Sequence, residues 1–291
     1  MTPGTSNPVI GQRARCIPML AVFVLFAGFI SRPSTTRSSQ DSQSRHSLTP
    51  LQLEIEKQRQ RLSSTEVEER RDALMRLGAL HRAEASRAAL PALADAVPMI
   101  RATAAYALAT LPAEESAPAL IPLLNDKDEF VRQQVSYALG GMRNRAAVGA
   151  LIERLNTDKK DSVRNAAAVA LGQIKDETAV MALAGVLSSG RSQSGSKKRK
   201  TVKNEFILRA AARSLGEIGG RAGVPVLLET LSNEAMAGDV RREAARALGL
   251  IGDPAAVPML QKAMTTPDPH LSEIASEALR RIGSKAGRIP S

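Results

Sequence analysis

The sequence predicts an all-α protein, a right-handed α-solenoid of about six and a half helix-turn-helix units, on three observations. The first is a repeat. Gly78, Ala109, Gly140, Gly172, Gly216, Gly249 and Arg280 recur at spacings of 31, 31, 32, 44, 33 and 31 residues. Leucine stands immediately before each of them, and an apolar residue two positions after. The second is helical periodicity. Val131, Val135, Ala138 and Leu139 fall at offsets 0, 4, 7 and 8, one face of a 3.6-residue helix. The third is composition. Aromatic residues are 2% of the chain and tryptophan is absent, whereas a compact enzyme buries more aromatic area. Alanine and leucine take their place, as closely stacked helices require.

Taken in order, the chain opens on Arg13 and Arg15 and an apolar run from Cys16 to Ile30. Basic residues followed by a short apolar core are the pattern of a secretory signal peptide. The run is shorter than the roughly 20 residues that comfortably span a bilayer. The small residues of a cleavage site are lacking, since Phe29 and Ile30 follow Ala27 and Gly28. Residues 1–30 are therefore expected to be a signal peptide or an N-terminal membrane anchor. The protein is then exported: periplasmic, extracytoplasmic, or anchored to the membrane by residues 16–30. Arg32, Arg37 and Arg45 lie beyond the run, so charge does not settle its orientation. Residues 31–49, rich in Ser, Arg, Gln and Thr, read as a disordered linker. Cys16 is the single cysteine, so no intrachain disulfide forms.

Residues 50–283 read as the solenoid, and residues 284–291 as a tail. A short charged helix from Leu51 to Leu62 is expected to lid the first unit. Nine residues before each marker stand Glu69, Ile100, Val131, Val163, Ile207, Val240 and Leu271. Five before, alanine recurs at Ala73, Ala104, Ala167, Ala211, Ala244 and Ala275, with Val135 the exception. A second helix follows each marker and carries Leu120, Leu151, Leu183, Leu227 and Leu260, then Leu124, Leu155, Leu187, Leu231 and Met264 one turn later. Neither helix can bury its face alone, so neighbouring units must stack. Gly140 is expected to be a C-cap in the left-handed region, which only glycine enters cheaply. Pro118, Pro225 and Pro258 are expected in the first turns of their helices, where the missing N–H costs nothing. The first unit is polar at its outer face through Glu69 and Arg76, and the seventh retains only its first helix.

Arg70, Arg101, Arg132, Arg164 and Arg241 recur eight residues before the marker, with Asp126, Asp128, Asp161 and Asp239 in the turns that precede. They suggest an arginine–carboxylate ladder that joins units and satisfies turn carbonyls and helix N-termini.

The stretch Asp239-Val240-Arg241-Arg242-Glu243-Ala244-Ala245-Arg246-Ala247-Leu248-Gly249-Leu250-Ile251-Gly252-Asp253 resembles the unit of the phycobilisome (PBS) lyase HEAT-like repeats, and Asp161 to Lys175 follows it nearly as well. The resemblance covers about residues 64–283. It implies the solenoid fold and is weak on function, since members attach bilins, regulate other proteins or act as scaffolds. Helical-repeat di-iron hydroxylases are similar in fold but carry several His-Glu pairs. Here His81 precedes Arg82 and His270 precedes Leu271, so that activity is not implied.

Between Leu187 and Phe206 lies an extra segment, 188–205, read as a flexible loop leaving one edge of the solenoid. Its charges, Arg191, Lys197, Lys198, Arg199, Lys200 and Lys203, suit an acidic protein, an anionic lipid or nucleic acid. On the second helices, Glu153, Arg154, Glu229, Thr230, Gln261 and Lys262 are candidate partner contacts. No metal-ligand pattern, phosphate loop or catalytic constellation stands out, so no catalytic residue, metal or cofactor is expected. Tyr106 and Tyr137 lie inside first helices and are expected to pack there. The leading reading is a non-enzymatic protein-protein interaction scaffold or adaptor, exported or membrane-tethered, whose second helices line a concave surface. The alternatives are a bilin lyase-like chromophore-attachment or chaperone protein, by family analogy, and an anionic-partner binder acting through the basic loop. The third lacks the aromatic platforms of single-strand binders, so no specific nucleic acid is expected.

Overall fold

The computed structural model describes residues 48–193 and 201–286. The expected signal peptide or anchor, the linker up to residue 47, the tail from residue 287, and Lys197, Lys198, Arg199 and Lys200 lie outside the described residues.

Helix α1 (Pro50–Arg61) packs on the first unit, with Thr49 and Gln52 closing a capping box at its start. First helices are α2 (Val67–Ala79), α4 (Pro98–Ala107), α6 (Glu129–Gly141), α8 (Asp161–Ile174), α10 (Thr201–Ile218), α12 (Gly238–Ile251) and α14 (Pro269–Ala286). Second helices are α3 (Ala83–Ala89), α5 (Ala113–Leu120), α7 (Val148–Thr157), α9 (Val180–Gln193), α11 (Val224–Ser232) and α13 (Val257–Ala263). Each first helix packs along the next first helix, and α8, α10, α12 and α14 each pack against the second helix of the unit before, so the described residues form an α-solenoid. Among them no helix is long and apolar enough to cross a membrane.

The repeat register is the core. The marker leucines Leu77, Leu108, Leu139, Leu171, Leu215 and Leu248 are fully buried, as are Leu120, Leu151, Leu183, Leu227 and Leu260. Each such side chain stabilises the stack by about 1.5–3 kcal/mol. The register loosens at the end: Met264 is exposed, and among the described residues no second helix follows α13.

The marker glycines act differently from expectation. Gly140 is a buried helical residue, and α6 runs on to Gly141. A Cβ on Gly140 would stand 2.6 Å from Ala170 Cα of α8. Gly216 and Gly249 meet Ala247 and Ala278 of the following helix in the same way, at 2.7 Å each. These glycines let first-helix backbones touch. The left-handed cap falls three residues later, at His81, Arg143, Lys175, Gly219 and Gly252.

Two further expectations shift. Pro225 and Pro258 do open their helices, but Pro118 lies inside α5. In the third to sixth units a short 3₁₀ turn precedes the second helix: Arg145–Ala147, Glu177–Ala179, Arg221–Gly223 and Pro254–Ala256. In the second unit α5 absorbs that turn, which places Pro118 one and a half turns in. The segment 188–205 is also less of a loop than its composition suggests, because α9 continues to Gln193 and α10 begins at Thr201. Gly190 packs under the Leu208 side chain, and this contact carries α9 one turn beyond Leu187.

Candidate partner-binding surfaces

Three surfaces follow from this stack: the edge of inter-repeat turns, the row of second helices and the row of first helices.

At the inter-repeat edge each arginine joins two turns. Arg101 donates from Nε and Nη2 to the Asp126 carboxylate at 2.7 and 2.8 Å, and from Nη1 to the Asp95 carbonyl at 2.8 Å. Arg132 repeats this with Asp158, at 2.8 and 3.0 Å, and the Asp126 carbonyl, at 2.8 Å. Arg70 does so with Asp95 and the Ser64 carbonyl. The partner carboxylate therefore sits in the turn after the arginine, 25 or 26 residues on, and the preceding turn supplies carbonyls. Each aspartate also accepts the N–H two residues ahead, on Val97, Asp128 or Lys160. Burial pushes the Asp126 and Asp158 carboxyls up, but the arginine bonds, those N–H groups and nearby cations outweigh it and hold both below the usual carboxylate range. Further along the pattern moves by one residue: Arg242 takes Asp268 at 3.1 Å, while Arg164 and Arg241 donate to the carbonyls of Leu155 and Leu231. This edge is occupied by its own bonds.

On the second helices, Glu153, Glu229 and Lys262 are exposed at equivalent positions of α7, α11 and α13, with Gln261 beside Lys262. Arg154 is half-buried, bonded to Glu153 and 4.0 Å from Asp158. Thr230 is not a surface group: it is fully buried and donates to the Val226 carbonyl at 2.7 Å, satisfying its hydroxyl inside the helix. Arg191 and Lys203 stand on α9 and α10, at either side of the undescribed segment. Residues 1–47 carry five arginines and one aspartate, residues 194–200 four Lys or Arg, and residues 287–291 one arginine. Most of the net charge of +11 thus lies outside the described solenoid.

The first-helix row holds what the sequence reading missed. Tyr106 is 60% exposed, and Tyr137 is only half-buried, so neither is a packing residue of the core. Both stand three residues before the marker, a position that neighbouring units fill with Met75, Val169, Arg213, Arg246 and Glu277. That mixture of charged and apolar side chains was the sequence signal for a surface position. Phe130 and Phe206 are exposed too, ten before the marker. A groove of about 400 Å³ beside Phe206 is lined by Glu129, Lys160, Asp161, Ser162 and Asn165. Among the described residues no group of three or more His, Cys, Asp or Glu is placed to hold a metal ion, and every buried side-chain polar atom has a partner.

The family model for HEAT repeats matches residues 55–139, 120–194 and 233–289. The chain is a HEAT-repeat protein. The model for the PBS lyase HEAT-like repeat matches residues 207–233 of this HEAT-repeat chain as well. Among solved structures, the CpcE–CpcF complex of phycocyanin lyase from Nostoc sp. PCC7120 is 26% identical, covering 88% of this chain and 84% of that one, with a TM-score of 0.44. Human deoxyhypusine hydroxylase is 22% identical, covering 80% and 96%, with a TM-score of 0.39. An engineered protein is 24% identical, covering 79% and 68%, with a TM-score of 0.46. A comparison with curated proteins found no match.

Proposed function

We propose that this HEAT-repeat protein is a non-enzymatic interaction scaffold, exported or tethered by residues 16–30, which grips another protein through its second-helix row. The supporting observation is the regularity of that row. Glu153, Glu229 and Lys262 project from one register position, and the helices beneath are fixed by fully buried leucines such as Leu151, Leu227 and Leu260. Rigid elements with freely variable outward side chains make a recognition surface without a reaction centre. The test is capture from envelope fractions by the full chain and by a chain lacking residues 1–49, followed by binding of the captured protein to Glu153→Ala, Glu229→Ala and Lys262→Ala combined. The reading expects capture by both forms and loss of affinity in the triple variant. Failure of either form to retain a defined protein counts against it.

A second reading rests on charge. The Arg191–Lys203 segment carries six positive charges, and the solenoid around it is close to neutral. It would hold an anionic surface, and retention on acidic vesicles that falls with salt tests it.

A further inference from the structure

The chain has five Phe and two Tyr, and three of the Phe lie in the N-terminal apolar run. The other four aromatics, Tyr106, Phe130, Tyr137 and Phe206, all sit on the outward face of first helices, and none is in the core. Aromatic side chains are costly to leave in water, and here the core is built without them.

They form two rails. One rail, three residues before the marker, runs Met75, Tyr106, Tyr137, Val169 across four helices. The other, ten before, runs Met99, Phe130 and, two helices on, Phe206. Seven residues of helix separate the rails by roughly 10 Å. Between them lie Thr103 of α4, Gln133 and Gln134 of α6, and Asn165 of α8. Thr103 is satisfied by the Met99 carbonyl, but the amides of Gln133, Gln134 and Asn165 have no hydrogen-bond partner among the described residues. The phenol oxygens of Tyr106 and Tyr137 have none there either.

The charged side chains of α4, α6 and α8 beside this strip are paired among themselves. Arg101 and Arg132 turn to the edge and are consumed by Asp126 and Asp158, while Glu129 and Lys160 pair with each other at 2.7 Å. Beyond α8 the same register becomes ionic, with Arg213 and Arg246 both on Glu243. A neutral strip in a chain that is 24% charged selects a neutral occupant. Unpaired amides, each both donor and acceptor, match main-chain N–H and C=O groups. Rails about 10 Å apart match an extended strand with side chains turned to both sides.

We propose that the α4–α6–α8 face binds an uncharged, extended polypeptide segment crossing the helices. Gln133, Gln134 and Asn165 bond its main chain, and Tyr106, Tyr137, Met99 and Phe130 receive its apolar side chains. The groove beside Phe206 takes the last of these. This rests on the interaction-scaffold reading and adds a second face to it.

The test selects peptides from a displayed library of short random sequences on the full chain. Selected sequences should be uncharged with apolar residues at alternate positions. Combined Gln133→Ala, Gln134→Ala and Asn165→Ala should weaken them at least about tenfold, and the second-helix triple variant should leave them unchanged. N-methylation of alternate main-chain amides in a selected peptide should abolish binding with every side chain kept. Equal binding of the methylated peptide, selection of charged sequences, or preference for a neutral oligosaccharide over any peptide would each overturn the proposal. Loss in the second-helix variant alone would overturn it too, while leaving the scaffold reading standing.

Discussion

Arg132 grips Asp158 across a repeat boundary with two parallel bonds, at 2.8 and 3.0 Å, and Asp158 exposes only 2% of its side chain. Such a pair is expensive to break from one side, since the remaining charge stays buried without compensation. Asp158→Asn should therefore lower stability by about 3 kcal/mol. Urea unfolding followed by circular dichroism checks it. Arg280→Ala, which breaks only exposed bonds to Glu277 and Ser276, should leave the midpoint unmoved.

The ladder also sets the response to acid. Asp126 and Asp158 have carboxyls held below their ordinary range in the fold. A depressed folded-state pKa means stability that is present above the unfolded value, near pH 4, and lost as pH falls through the folded one. The urea midpoint should be flat from neutral pH to about 5 and fall steeply below about 4. Asp158→Asn should start lower and fall less over the same range. A wild-type midpoint that does not move below pH 4 would contradict the ladder's role.

Neighbouring glycines should respond with opposite sign. A Cβ at Gly140 meets the Ala170 backbone at 2.6 Å, while one at Gly141 meets nothing within 4 Å. Gly140→Ala should force α6 and α8 apart and cost about 1–3 kcal/mol. Gly141→Ala, at the last residue of α6, should gain about 0.5 kcal/mol from helix propensity. Thermal unfolding of the two variants side by side measures the difference.

These glycines show what the sequence could and could not reveal. The layer register was legible because burial depends on spacing, and leucine before every marker has one explanation. A glycine has two, cap and close approach, and a single chain carries both within three residues at Gly216 and Gly219. Position alone does not separate them, because close approach depends on the facing helix. The ladder's arginines were visible, but the buried partner of Arg132 is Asp158, not the Asp126 that precedes it. The spacing of 31 and 32 between Asp95, Asp126 and Asp158 was the overlooked signal. Tyr106 and Tyr137 read as packing residues because tyrosine inside an amphipathic helix usually points inward, and only the outward register of Met75 and Arg213 says otherwise.

The left-handed caps make a further pair. Lys175 holds φ at 59°, a region that crowds a Cβ against its carbonyl. Gly252, at the equivalent place in the sixth unit, has φ 77° without that crowding. Lys175→Gly should stabilise by about 0.5–1 kcal/mol, and Gly252→Ala should destabilise by about 1 kcal/mol. Urea midpoints shifted in opposite directions are the expected readout.

The basic segment should be separable from the fold. The described contacts between α8, α9 and α10 include the close approaches of Gly172 to Ser214 and of Gly190 to Leu208, and the bond from Ser214 to the Ala168 carbonyl. Replacing Lys197, Lys198, Arg199 and Lys200 with serine should therefore change Tm by less than about 2 °C. The same variant should lose salt-sensitive retention on vesicles containing acidic lipid, since it removes four of the six charges in that segment. A large drop in Tm would instead make these charges part of the stack. Unchanged vesicle retention would move the anionic contact elsewhere on the chain.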